Sequence, residues 1–199
     1  QVILKFTTPG VPDVYQGCEL WDLSLVDPDN RRPVDFEKRQ RLVAELEHQQ
    51  NKEFVSELWQ NRFDGKIKLW LMQKLLSERK SSLKTLSEGH YIPLEVKGKL
   101  KNQVLAFARR FDQTWYIVAI PLHTAMLDEN FNDNFKNYDW KGSEIALPPE
   151  LFGEFQSVLT GESVKAKRSI PLADLFQTLP FAVLKLDAPQ TKRSAGILM

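Results

Sequence analysis

The chain has 199 residues, 42% hydrophobic and 27% charged, with 27 Lys and Arg against 26 Asp and Glu for a formal net charge of +1. That length allows one ordinary domain or two small ones, and an aromatic content of 11% is too rich for a disordered chain. So balanced a charge gives no reason to expect nucleic acid or a membrane surface as partner, and no run approaches the roughly 18 apolar residues of a spanning helix.

The chain starts at Gln1 without a signal-peptide pattern and is expected to be a piece of a longer protein. Residues 2–6 read as a strand. After them comes a stretch dense in turn formers, among them Pro9, Gly10, Pro12, Gly17, Pro28 and Pro33. A structured loop of that length is usually functional. Residues 35–88 read as helices. Asp35 is placed to cap the first, Glu37 falls in its first turn, and Phe36, Leu42, Val43 and Leu46 share an apolar face. A second helix is predicted over 53–59. Gly65 then punctuates, and Ile67, Trp70, Leu71 and Leu75 recur at helical spacing to about residue 76, with Leu83 and Leu86 beyond. From residue 89 the texture changes to short β-rich runs at 91–96, 103–108, 114–120, 144–147, 154–159 and 181–186, separated by turn residues. Such spacing predicts a small antiparallel sheet or sandwich. Residues 128–137 read as a loop and 191–199 as a frayed tail.

Gly10, Pro12, Tyr15, Gly17 and Glu19 stand as G-x-P-x-x-Y-x-G-x-E, which resembles the segment closing the catalytic barrel of the α-amylase superfamily of glycoside hydrolases. The continuation through Trp21, Asp22, Asp27, Pro28, Asp29, Asn30, Arg31, Arg32, Pro33 and Asp35 is similar to the maltooligosyl trehalose synthase branch. So are Asp64, Gly65 and Lys66, the run from Gly89 to Val96, the run from Val104 to Arg110, and Thr160, Gly161 and Glu162. The resemblance covers nearly the whole chain. It implies an α+β fragment: the last strand, rim loop and following helices of a (β/α)8 barrel in residues 1–88, then a small C-terminal antiparallel β-sandwich domain in residues 89–199. It also implies an activity for the parent protein, a cytoplasmic enzyme of trehalose biosynthesis. That enzyme isomerises the reducing-end α-1,4 linkage of a maltooligosaccharide to an α,α-1,1 linkage, through a covalent glycosyl-enzyme whose released glucose returns as the acceptor. The family's three catalytic acids lie on earlier barrel strands, and their motifs do not occur in this sequence. Retaining chemistry needs two carboxyls about 5–5.5 Å apart, so the fragment alone is expected to be inactive. The alternative is a non-catalytic structural or glucan-binding accessory module. No cofactor and no metal are implied.

Asp27, Asp29, Asn30, Arg31 and Arg32 form a polar stretch whose carboxylates, amide and guanidinium forks suit sugar hydroxyls, with Asp29, Arg31 and Arg32 first among them. The same residues are ordinary turn chemistry, and the arginines can equally be ion-paired scaffolding. Tyr15, Gly17 and Glu19 read as the structural motif, with a buried Tyr and Glu holding the loop by hydrogen bonds, although a Tyr can also stack on a sugar. Trp21 is open to the same two roles, platform or core. His48, His90 and His123 share no metal spacing, and the lone Cys18 excludes an internal disulfide, suits a reducing compartment and reads as a small buried thiol.

Overall fold

The computed structural model describes residues 1–24, 31–47, 51–127, 135 and 138–187. The expected loop at 128–137 therefore lies almost wholly outside the described residues, and the expected tail at 191–199 lies wholly outside them.

Strands β3 (Val104–Phe111) and β4 (Thr114–Pro121) pair antiparallel from Phe111 opposite Thr114 to Val104 opposite Pro121. The two-residue turn between them is closed by Asp112 at φ 52°, a left-handed conformation that Asp tolerates better than most residues. Both faces of this hairpin are buried, so its sequence reads as a continuous apolar run, with the two-residue period visible only in what each side touches. Val104, Ala106, Ala108, Trp115, Ile117 and Ala119 face one core, and Phe107, Tyr116, Val118 and Ile120 face another.

The hairpin sits inside a six-stranded antiparallel sheet ordered β1-β3-β4-β9-β6-β7, with β1 at His90–Pro93, β6 at Gly153–Ser157, β7 at Ser163–Ala166 and β9 at Ala182–Asp187. The first core lies between this sheet and a three-stranded one ordered β2-β5-β8, with β2 at Val96–Gly98, β5 at Ser143–Ala146 and β8 at Ser169–Pro171. Predicted as one run, residues 91–96 divide between the sheets. The Leu94 N–H still donates to Ala106 in the large sheet, whereas Glu95 accepts from Ala146 in the small one. This is how a strand turns the corner of a sandwich. Strands β7 and β8, with the short helix α6 (Leu172–Leu175) after them, are additions to the elements expected from sequence.

The second core is shared with the helices. Helix α4 (Lys66–Ser81) buries Ile67, Leu69, Trp70, Leu71, Met72 and Leu75, too many directions for one stripe, because it is enclosed by other elements. Helices α2 (Phe36–Leu46), α3 (Lys52–Gln60) and α5 (Leu83–Ser87) pack on it. The expected cap forms, with Asp35 accepting from Lys38 N at 2.9 Å; the structure adds a second, Asn51 accepting from Phe54 N at 2.8 Å. Among the described residues no helix is long and apolar enough to cross a membrane.

One expectation is overturned. Residues 2–6 are no strand but the first five of helix α1 (Val2–Thr7), lying on α4 with Ile3, Phe6 and Thr7 buried. A strand needs a neighbour for its N–H and C=O groups, and no described strand lies beside this segment. The helix satisfies them locally, through Lys5 N to Gln1 O and Thr8 N to Leu4 O, both 2.9 Å. Its spacing also sends Ile3, Phe6 and Thr7 to the same side. Tertiary packing outweighs the β-branched composition.

The carbonyls at the end of α1 meet two buried arginines. Arg79, from α4, donates to Phe6 O at 2.8 Å, Gly10 O at 3.0 Å and Leu86 O at 3.3 Å. Arg109, from β3 and fully buried, donates to Thr7 O at 2.7 Å, Gly89 O at 2.9 Å and Leu86 O at 3.0 Å. Burial holds both guanidinium pKa values below that of a free arginine, and for Arg109 the charge of Arg79 adds to that. Hydrogen bonds to a charged group contribute about 1.5–3 kcal/mol each. Arg109→Met keeps the bulk but leaves three carbonyls short of a donor, and is expected to cost about 3 kcal/mol or more in urea unfolding. A midpoint equal to wild type would contradict the clamp.

Candidate functional site

The segment between α1 and α2 carries the family motif, and it is held in place by one residue that the motif does not include. Arg39, one turn into α2, reaches back with its guanidinium to three acceptors. Its Nε donates to Glu19 Oε2 at 2.8 Å, Nη2 to Gly17 O at 2.7 Å and Nη1 to Asp35 O at 2.9 Å. Gly17 takes φ 86°, and a Cβ there would come within 3.0 Å of a Val34 methyl. The glycine therefore permits both the turn and its closure against residue 34. Gly17 and Glu19 are thus latched onto α2 through Arg39. Tyr15 behaves differently: it is 52% exposed, and only its carbonyl is engaged, accepting from Cys18 N at 3.2 Å. The expected buried Tyr is corrected to a surface one, because the turn that closes on Gly17 uses the backbone of residue 15 and leaves the ring outside.

Beyond the latch the chain walls a cleft of about 500 Å³, within the roughly 300–1,000 Å³ typical of small-molecule sites. Trp21 stands on its wall, half exposed. Its indole N–H donates to Arg62 O at 2.7 Å. The Lys68 ammonium, itself bonded to Leu20 O at 2.9 Å, sits 5.3 Å from the ring centre. Gly65, at φ 83°, closes the edge, where a Cβ would lie 3.3 Å from both the ring and the backbone nitrogen of Trp21. The ring is pinned and still open.

Three carboxylates line the cleft, and each caps a backbone N–H. Asp35 does so for Lys38, Asp64 for Lys66 at 2.8 Å, and Asp22 for Ser24 at 2.9 Å, with the Ser24 hydroxyl adding a bond of 2.6 Å. The two Ser24 bonds, the hydroxyl's first, hold the Asp22 pKa below its ordinary 3.8, so this carboxylate is ionised throughout the neutral range. Arg32 and Lys38 face the same space. The cleft thus presents ionised acceptors, cationic donors and an aromatic face. Among the described residues no group of three His, Cys, Asp or Glu side chains converges to hold a metal ion.

Of the residues expected to touch sugar, Arg31 and Arg32 are exposed and Arg32 lines the cleft. Asp27, Asp29 and Asn30 lie outside the described residues, as does His48. His90 and His123 are on the surface, and Cys18 is half-buried. Arg39 and Lys68 were not singled out from sequence. An Arg four residues after a capping Asp is visible in the pattern, but its partner 20 residues upstream is not.

The Asp22 shift is testable. Its carboxyl is expected to titrate below 3.8 by NMR, and Ser24→Ala should move the midpoint up towards that value. The part of the turn's stability owed to Asp22 is then present above the unfolded pKa and is lost as pH falls through the lowered one. An unchanged midpoint in the variant would refute this bonding.

No family model matches the chain. It is 33% identical over 185 residues to a Mycobacterium tuberculosis protein carrying the name maltooligosyl trehalose synthase, covering 93% of this chain and 20% of that one. Among solved structures, maltooligosyltrehalose synthase from Arthrobacter ramosus aligns with TM-score 0.69 and 27% identity over 92% of this chain and 21% of that one. A second maltooligosyl trehalose synthase aligns with TM-score 0.61 and 30% identity over 93% and 21%. An Anoxybacillus α-amylase shares the fold, with TM-score 0.53 at 21% identity over 92% and 30%. Over nearly all of its length, the chain is similar to proteins named maltooligosyl trehalose synthase, of whose chains it spans about a fifth.

Proposed function

We propose that this chain is the C-terminal part of a maltooligosyl trehalose synthase, acting in the cytoplasm in trehalose biosynthesis. The parent enzyme would isomerise the reducing-end α-1,4 linkage of a maltooligosaccharide by intramolecular transglucosylation. In this assignment residues 1–88 supply the rim segment and the helices that follow a (β/α)8 barrel, and residues 89–199 form the C-terminal β-rich domain. What carries the proposal is homology over 93% of the chain together with a latched polar cleft at the very segment that bears the family motif. The rim then does what a barrel loop can do without catalytic acids. It holds the released glucose while the glycosyl-enzyme persists, and it keeps water from taking the glucose's place. Arg31, Arg32, Asp27, Asp29 and Asn30 are the residues proposed to bind that sugar, with the acids supplied by upstream chain.

A second function has its own observation. Among the described residues the cleft is lined from 16–24, 32–39 and 63–64, a set that a glucan-binding accessory module without a barrel would also carry.

The test uses the full-length enzyme. Arg32→Ala and Asp29→Ala should fold normally, since Arg32 is exposed and Asp29 falls in a polar, turn-forming stretch of the sequence. Loss of one hydrogen bond to a charged group, worth about 1.5–3 kcal/mol, should lower efficiency roughly ten- to a hundredfold. Hydrolysis should rise relative to isomerisation as the glucose is held less well. Wild-type efficiency and partition in both variants would withdraw the site. The 199-residue chain by itself, given maltopentaose, is expected to release neither trehalosyl product nor glucose, and turnover by a clean preparation would contradict the placement of the acids.

A further inference from the structure

Trp21 is an exposed aromatic held in place by three separate contacts. Trp70 and Trp115 are buried in the cores, whereas Trp21 keeps about half its surface open although its position is fully specified. Its indole N–H is committed to Arg62 O, so the ring's polar group is satisfied without a ligand. Lys68 is anchored to Leu20 O and covers part of the ring, and Gly65 abuts the edge. An exposed indole fixed by three contacts loses little further freedom when something lies against it, which is what a binding platform requires.

From this we infer that the Trp21 side of the cleft is a pyranose subsite in which the open part of the indole packs against the C–H face of a glucosyl ring. A hexopyranose has an apolar C–H face and a girdle of hydroxyls. The face matches an aromatic surface, and the hydroxyls match a carboxylate acceptor with cationic donors beside it. Asp22 supplies an ionised carboxylate next to the ring in sequence and on the same wall, and Lys38 and Arg32 supply donors. An anionic ligand has no net positive field to draw it in, because Asp22, Asp35 and Asp64 balance Arg32, Lys38 and Arg39 on the same lining. A purely apolar occupant would strand the same three carboxylates away from water. The subsite deepens the proposed function, resting on its reading of the cleft as a substrate site. It adds Trp21 as the platform and Asp22 as the hydroxyl acceptor.

The 199-residue chain titrated with maltotriose and followed by NMR tests this. The Trp21 indole N–H resonance, assigned by its loss in Trp21→Phe, should move saturably, while those of buried Trp70 and Trp115 stay in place. Trp21→Ala should weaken binding, read at the Ser24 amide, by about tenfold or more, and Trp21→Phe should recover much of it because a ring remains. Phe152→Ala, an exposed aromatic that does not line this cleft, should change nothing. The absence of a saturable shift at millimolar sugar in the folded chain overturns the subsite, as does unchanged affinity in a folded Trp21→Ala variant. The two proposals fail separately. Sugar binding here with no isomerase activity in the full-length protein would leave the subsite standing and remove the enzyme function. Isomerisation with wild-type KM and product partition in full-length Trp21→Ala would remove the subsite alone.

Discussion

Arg79 and Arg109 carry two positive charges into the seam between α1, the end of α5 and strand β3, and their hydrogen bonds there go to main-chain carbonyls. Burying a guanidinium is costly, and bringing a second beside it adds repulsion. The arrangement persists because a helix end and two loops have carbonyls to satisfy at the same place. Leu86 O accepts from both arginines, so α5 is joined to each of them. Removing either would leave buried acceptors without donors, which costs more than the mean worth of a hydrogen bond. Through this joint the segment after α1 leaves at a defined position, and that position sets where the motif-bearing turn begins.

From Gly10, whose carbonyl is held by Arg79, the chain runs to Gly17, whose carbonyl is held by Arg39. The segment between α1 and α2 is therefore pinned at both ends by arginines from different helices. Polar side chains on a segment with little core of its own need such fixing before they can present a constant surface to a ligand. Trp21 extends the same logic. Its contacts come from the turn at residues 62–65 and from α4, so the cleft wall inherits the rigidity of the helical layer. That layer shares a core with one face of the six-stranded sheet, where Tyr116 from β4 donates to Glu78 of α4 and Lys185 from β9 reaches the same carboxylate at 2.9 Å. The β-rich half thus supports the helices that hold the cleft while standing apart from the cleft itself.

The resemblance and the architecture agree on the antiparallel β-rich region and part at residues 2–6, where the implied barrel strand is the helix α1. Antiparallel sheets follow a helical region, as in the homologous stretches of the solved synthases. The motif residues divide by role along the way: Gly17 and Glu19 keep the turn closed, and Tyr15 is left at the surface.

Local chemistry was legible without coordinates wherever a signal and its partner lie within a few residues. The Asp35 cap, the break at Gly65, the helical spacing of Ile67, Trp70, Leu71 and Leu75, and the hairpin runs of β3 and β4 all belong to that class. The motif from Gly10 to Glu19 likewise pointed to a family before any contact was known. Three matters waited for tertiary structure. Residues 2–6 carry a strand-like composition, and whether they pair or coil depends on what lies beside them, which a local pattern does not encode. The run at 91–96 is one apolar stretch in sequence, and its division between two sheets follows from where Ala106 and Ala146 come to lie. The joints of the site, Arg39 to Glu19, Lys68 to Leu20 and Trp21 to Arg62, span 20 to 48 residues. Sequence alone determined that these donors and acceptors exist. Only the packing of α2 and α4 against residues 17–21 decided which of them meet, because hydrogen bonds depend on distance in space and the chain records only distance along itself.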